Sequence, residues 1–128
     1  MARILIVDDE EAIVTLMGFI LEKVGHTVEK AHNGLDALGV LGIEPLDEAK
    51  PLPDLVLMDV MMPIMDGHTA SRRIHAHPRT AGLPLIIVTA KGDMRSLFET
   101  MPGVTAFFSK PFDPKSLREA VAKAIEKK

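Results

Sequence analysis

Two acidic residues stand side by side at Asp8 and Asp9, a third acid lies at Asp59, a hydroxyl at Thr89 and an ammonium at Lys110. Each follows a short apolar run. Ile4-Leu5-Ile6-Val7 leads into Asp8, Leu55-Val56-Leu57-Met58 into Asp59, Leu85-Ile86-Ile87-Val88 into Thr89, and Ala106-Phe107-Phe108-Ser109 into Lys110. Two unit charges about 4 Å apart repel by roughly 4 kcal/mol at an effective dielectric of about 20. Gathered carboxylates therefore need a positive partner, either Lys110 or a divalent cation. All-oxygen donors with no histidine nearby in sequence favour magnesium over zinc. A carboxylate in such a group can attack phosphorus and form an acyl phosphate. The transferring phosphoryl oxygens must then be held by cations and donors. A metal ion, Lys110, and the Thr89 hydroxyl with backbone amides meet that need. Taken singly, these residues have plain structural roles as caps, turn formers, a strand end and a surface cation. Their recurrence at the same end of four strands argues for the joint reading.

Apolar runs of this length, bounded by polar and turn residues, predict strands buried on both faces. In an open parallel sheet the carboxyl ends share one edge, where ligands bind. Between the strands, Ile13, Leu16, Met17, Ile20, Leu21 and Val24 keep helical spacing up to Gly25. A shorter strand is expected near Thr27 to Ala31. Asn33 predicts an N-cap with Asp36 in the first turn, for a helix weakened by Gly39 and Gly42. Ile43 to Pro53, with Pro45, Pro51 and Pro53, reads as an extended loop, longer than the usual connection. A third helix is expected over Gly67 to Ala76 and a short fourth over Asp93 to Thr100. The fifth starts at Asp113 and Pro114 and buries Leu117, Val121 and Ile125. Alternation of five strands and five helices implies an α/β sandwich, a parallel sheet covered on both faces.

A chain of 128 residues is expected to form one domain, residues 1–128, with a real core. Its 47% hydrophobic and 26% charged residues are ordinary for a globular protein, and the absence of cysteine excludes disulfides and thiolate chemistry. The apolar stretch Ala12 to Leu21 contains Thr15 and Gly18 and is too short for a membrane span. The acidic run Asp8 to Glu11 argues against a secretion signal, so a cytoplasmic location is expected. A net charge of −3 argues against binding to a nucleic acid backbone. His68, His75 and His77 are expected on the surface, and Met58, Met61, Met62 and Met65 in core and loop packing.

Taken together, Ile4-Leu5-Ile6-Val7-Asp8-Asp9-Glu10, Asp59-Val60-Met61-Met62-Pro63-Ile64-Met65-Asp66-Gly67, Thr89-Ala90 and Lys110-Pro111-Phe112 resemble the receiver domain of bacterial two-component response regulators of the chemotaxis-regulator type. The resemblance covers essentially the whole chain. It implies a flavodoxin-like (βα)5 fold with strand order 2-1-3-4-5, an order for which a receiver is itself the standard example. It further implies that Asp59 accepts a phosphoryl group from a histidine kinase or a histidine phosphotransfer protein. Mg²⁺ would be held by Asp8, Asp9, Asp59 and the backbone carbonyl of Met61. Lys110, Thr89 and the backbone of Met61 and Ala90 would hold the phosphate. Thr89 and Phe107 would act as the switch, and the face of the fourth helix, fifth strand and fifth helix would signal to a downstream protein. No chemistry on metabolites is implied beyond the domain's own phosphorylation and dephosphorylation. One rival is a receiver-like interaction module that works without phosphorylation, against which the costly charge cluster argues. A Mg²⁺-dependent phosphohydrolase is the other, but its Asp-x-Asp pattern would need an acid where Met61 stands.

Overall fold

The structure, a computed structural model, describes residues 2–90, 96, 98, 101 and 103–126. Strands β1 (Arg3–Val7), β2 (Thr27–Ala31), β3 (Leu55–Met58), β4 (Leu85–Thr89) and β5 (Val104–Ser109) form one sheet in the order β2-β1-β3-β4-β5. Every neighbouring pair is parallel. The described helices are α1 (Glu11–Glu22), α2 (Gly34–Val40), α3 (Gly67–Ala76) and α4 (Pro114–Glu126). The helix expected over residues 93–100 falls largely outside the described residues, so α4 is the expected fifth helix.

Successive side chains on a strand point to opposite faces, and this alternation divides the core in two. Leu5, Val7, Val56, Met58, Leu85 and Ile87 pack towards α2 and α3. Ile4, Ile6, Leu55, Leu57, Ile86 and Val88 pack towards α1 and α4. The three central strands are buried on both faces, as their apolar runs require. β5 departs from that expectation: it pairs only with β4 among the described strands, and its residues are half-buried or exposed. An edge strand has a neighbour on one side only, so less of it is covered.

Local chemistry sets the helix ends. Gly25 adopts φ 97, and the His26 amide donates to the Leu21 carbonyl, closing α1 with a Schellman motif. The side chain of Asn33 accepts from the Asp36 amide at 2.8 Å, and that of Asp66 from the Thr69 amide at 2.8 Å. Asp113 caps α4 through the Ser116 amide at 3.0 Å. α4 buries Leu117, Val121 and Ala124, whereas Ile125, expected inside, is half-buried.

Two further expectations are corrected. The segment after α2 is a packed turn rather than an open loop. Its Asp47 amide donates to the Gly42 carbonyl at 2.8 Å, Ile43 bridges to Leu46, and Ile43 is buried. Arg79 holds it from across the chain, donating from Nε to the Leu41 carbonyl at 3.1 Å and from its other nitrogens to the Glu48 and Lys50 carbonyls. Arg73 adds a bond to Glu44 at 2.7 Å. The second correction is His75. Its two ring nitrogens are buried rather than turned to solvent, and the ring lies against Gly103, where a Cβ would sit 1.8 Å from Nε2.

Candidate functional site

Sheet register creates the site. Val7 lies opposite Met58, so the next residues, Asp8 and Asp59, come together at the carboxyl edge. The Asp59 amide donates to the Val7 carbonyl at 2.9 Å, and the Asp8 amide to the Ala31 carbonyl at 3.1 Å. Asp8 and Asp59 are buried and Asp9 is exposed. One carboxylate oxygen from each lies within 4.8 Å of the others. The backbone beyond Asp59 turns back so sharply that a Cβ on Gly67 would lie 1.9 Å from the Asp59 carbonyl oxygen, so only glycine fits there.

Lys110 enters the same cluster from the end of β5. Its Nζ lies 2.8 Å from Asp8 Oδ2, 3.1 Å from Glu10 Oε1 and 3.7 Å from Asp59 Oδ1. Its backbone amide donates to the carbonyl of Thr89 at 2.8 Å, which joins the ends of β4 and β5. Thr89 itself is fully buried, and Ala90 follows it at the exposed edge.

Carboxylates separated by 4.8 Å repel by roughly 3 kcal/mol per pair at an effective dielectric of about 20. The consequences fall on the buried acids. Burial pushes the Asp8 carboxyl up even though Lys110 and the Glu10 amide bond to it. Asp59 is pushed up from 3.8 to about 6, first by burial and then by the charge of Asp8, with Lys110 opposing. Burial alone would lower Lys110, but its hydrogen bond to Asp8 and the charges of Asp59 and Asp8 outweigh that and raise it.

Among the described residues, Lys110 is the ammonium paired with this group, reaching Asp8, Glu10 and Asp59, and with Asp9 beside them the carboxylates outnumber it. An oxygen-only donor set with that excess fits a hard divalent cation of the magnesium class. The residues expected at the rim are thus largely brought together there. Met61 lies on the loop after Asp59, its side chain exposed above a cavity of about 570 Å³ lined also by Asp9, Met62, Asp66 and His68. Phe107 is set apart from the carboxylates: it packs into the core on the α2 and α3 side, with its ring 6.1 Å from that of Phe98.

Two contributors escaped the sequence reading. Glu10 shares Lys110 with Asp8, and the acidic run Asp8-Asp9-Glu10 was the available signal. Asp66 caps α3 and lines the cavity, signalled by an acid directly before the helix start at Gly67.

The family model of the response regulator receiver domain matches residues 4–122. The chain is similar to Protein PilH of Pseudomonas aeruginosa, 36% identical over 122 residues, covering 94% of this chain and 95% of that one. It is also similar to sporulation initiation phosphotransferase F of Bacillus subtilis, 36% identical over 124 residues and covering 96% and 93% of the two chains. Among solved structures, a CheY-like response regulator receiver domain protein from Methanospirillum hungatei superposes with a TM-score of 0.84 at 30% identity, covering 99% of this chain and 95% of that chain. Its strand order, its acidic cluster and these likenesses place the chain in the response regulator receiver domain family.

Proposed function

We propose that residues 1–128 act as a single receiver domain, a phosphoacceptor switch that takes a phosphoryl group on Asp59 from a phosphohistidine of a sensor kinase or phosphotransfer protein. In that step the N–P bond of the donor breaks and an O–P bond forms at a carboxylate oxygen of Asp59, while the donor imidazole regains a proton. The single observation that carries the reading is the convergence of Asp8, Asp9 and Asp59 with Lys110 at one sheet edge. Asp59 is the acid at the end of the central strand β3, so an incoming phosphoryl group at its carboxylate lies within reach of the ammonium. Lys110 pairs with one phosphoryl oxygen and exchanges part of its contact with Asp8 to do so. The Thr89 hydroxyl and the amides of Met61 and Ala90 supply donors to the others. Asp8, Asp9, Asp59 and the Met61 carbonyl would hold Mg²⁺, which when bound neutralises carboxylate and phosphoryl charge.

Once the phosphoryl group is in place, Thr89 is drawn towards it and the Phe107 ring follows by packing alone, since phenylalanine has no hydroxyl. The changed surface lies on the segment before β5, on β5 and on α4, and a downstream protein reads it. The domain works in the cytoplasm and catalyses only its own phosphorylation and dephosphorylation.

The test is intact-mass spectrometry after incubation with acetyl phosphate, with and without Mg²⁺, beside Asp59→Asn. A single Mg²⁺-dependent phosphoryl adduct that is absent from the variant is expected. If wild type gains no adduct from acetyl phosphate or from a histidine kinase donor, the proposal fails and a phosphorylation-independent interaction module takes its place.

A further inference from the structure

Glu10 is the exposed neighbour of a buried ion pair, and the chemistry of Asp59 and Lys110 leaves it without a role. It stands at the N-cap of α1, where a side chain commonly accepts from an amide of the first turn. The Glu10 carboxylate makes no such bond. It turns instead to Lys110, 100 positions away in the chain, and accepts from Nζ at 3.1 Å. The Glu10 side chain is 61% exposed and that of Lys110 only 10%. An ion pair with one exposed partner adds little to stability. What the contact changes is the freedom of the ammonium.

An ammonium has three N–H donors and no acceptor. One N–H of Lys110 goes to Asp8 Oδ2 at 2.8 Å and a second to Glu10 Oε1. The other oxygen of Asp8 accepts from the Glu10 amide at 2.9 Å, so Asp8, Glu10 and Lys110 close a ring of hydrogen bonds. Glu10 is itself fixed from behind, its carbonyl accepting from the Ile13 and Val14 amides at 3.0 and 3.1 Å. The third N–H is left for Asp59, whose Oδ1 lies at 3.7 Å, longer than a hydrogen bond. A phosphoryl group on Asp59 brings oxygens into that gap.

The two anchors of the ammonium differ in what else they do. Asp8 belongs to the three carboxylates that fit a divalent cation, and Glu10 stands outside that group. When Asp8 gives up part of its hold on Lys110, Glu10 is the acceptor that keeps the ammonium turned to Asp59. A lysine stem is flexible, and donors aimed in advance at developing charge are the effective ones. We propose that Glu10 is a positioning residue for phosphoryl transfer, holding the third N–H of Lys110 towards the phosphoryl oxygens, a role that rests on the phosphoacceptor reading of Asp59. The role requires an acceptor at residue 10 and not a charge.

The test compares Glu10→Gln with Glu10→Ala in the full chain. Both remove one negative charge and ease the approach of an anionic donor alike, but only glutamine keeps a carbonyl oxygen for Lys110. Adduct formation with acetyl phosphate and Mg²⁺ is followed by intact-mass spectrometry. Glu10→Gln is expected to react at least as fast as wild type, and Glu10→Ala roughly ten-fold more slowly than Glu10→Gln. Glu11→Ala removes the next exposed carboxylate, which touches His32, and is expected to keep the wild-type rate. A second readout needs neither donor nor metal: the order parameter of the Lys110 Cε–H bonds by NMR relaxation. It is expected to be alike in wild type and Glu10→Gln and lower in Glu10→Ala. Equal rates for the two Glu10 variants would overturn the proposal. So would a slow Glu10→Ala whose Lys110 is as ordered as in wild type. In both cases an adduct on wild type leaves Asp59 standing as the acceptor, whereas no adduct on wild type overturns the two readings together.

Discussion

Asp59→Asn is expected to stabilise the metal-free protein at neutral pH, although it deletes the proposed reactive group. A carboxyl moved from 3.8 to about 6 is about 3 kcal/mol worse off ionised in the fold than in water. The sign follows from proton linkage. Between pH 3.8 and about 6 the folded protein binds more protons at Asp59 than the unfolded chain does. Stability contributed by this site is therefore greatest below 3.8, falls as pH rises through that window, and stays low above it. An amide has no charge to confine, so the variant escapes the penalty at neutral pH. It also loses the attraction of Asp59 for Lys110 at 3.7 Å, which already offsets part of the upward shift. The expected gain is about 1–3 kcal/mol at pH 7.5, shrinking towards zero near pH 4. Tryptophan and tyrosine are absent from the chain, so urea unfolding is followed by circular dichroism, with a chelator present throughout. Equal stability of the two proteins at pH 7.5, or a gain of the same size at pH 4.5, would refute the reasoning.

Other substitutions test the remaining parts of the structure. Lys110→Met removes the cation shared by Asp8, Glu10 and Asp59 and is expected to cost roughly 3–5 kcal/mol at neutral pH without metal. Because protonation of Asp8 and Asp59 relieves the loss, a cost just as large at pH 4.5 would count against it. Gly67→Ala drives a Cβ onto the Asp59 carbonyl and is expected to lower stability by about 1–3 kcal/mol in thermal unfolding and to reduce adduct formation with acetyl phosphate. Arg79→Ala removes the hydrogen bonds that hold the turn after α2. Limited proteolysis is expected to cut the variant between residues 43 and 53 much faster than wild type, with a global loss of only about 1–2 kcal/mol.

Much of the architecture is legible in the chain itself because its signals are short-range. Leu55 to Met58 is apolar throughout and Asp59 is not, which marks a buried strand and its exit to the rim. Asn33 before Gly34, and Asp113 before Pro114, mark helix starts by the hydrogen bonds their side chains offer within three residues. Side-chain alternation places Phe107 and Phe108 on opposite faces of the sheet. The residue types at the strand ends already contain the chemistry of the site.

Only the tertiary structure decides what those residues do to one another. Asp8 and Lys110 are separated by 102 positions, and their 2.8 Å contact exists because β1 and β5 end at the same edge of one sheet. The upward shift of Asp59 needs burial by surrounding elements and the charge of Asp8, and no local pattern encodes either distance. Ile43 to Pro53 reads as a loop because its prolines forbid regular structure, but Arg79, from beyond α3, makes it a packed turn. His75 has the polarity of a surface residue but is half-buried, both ring nitrogens covered, because Gly103, on a distant segment, leaves room for its ring. Local sequence sets dihedral preference and the apolar face of each element, both properties of neighbours along the chain. Distances between charges, and hence pKa values and the shape of a groove, depend on the register and packing of segments far apart in sequence.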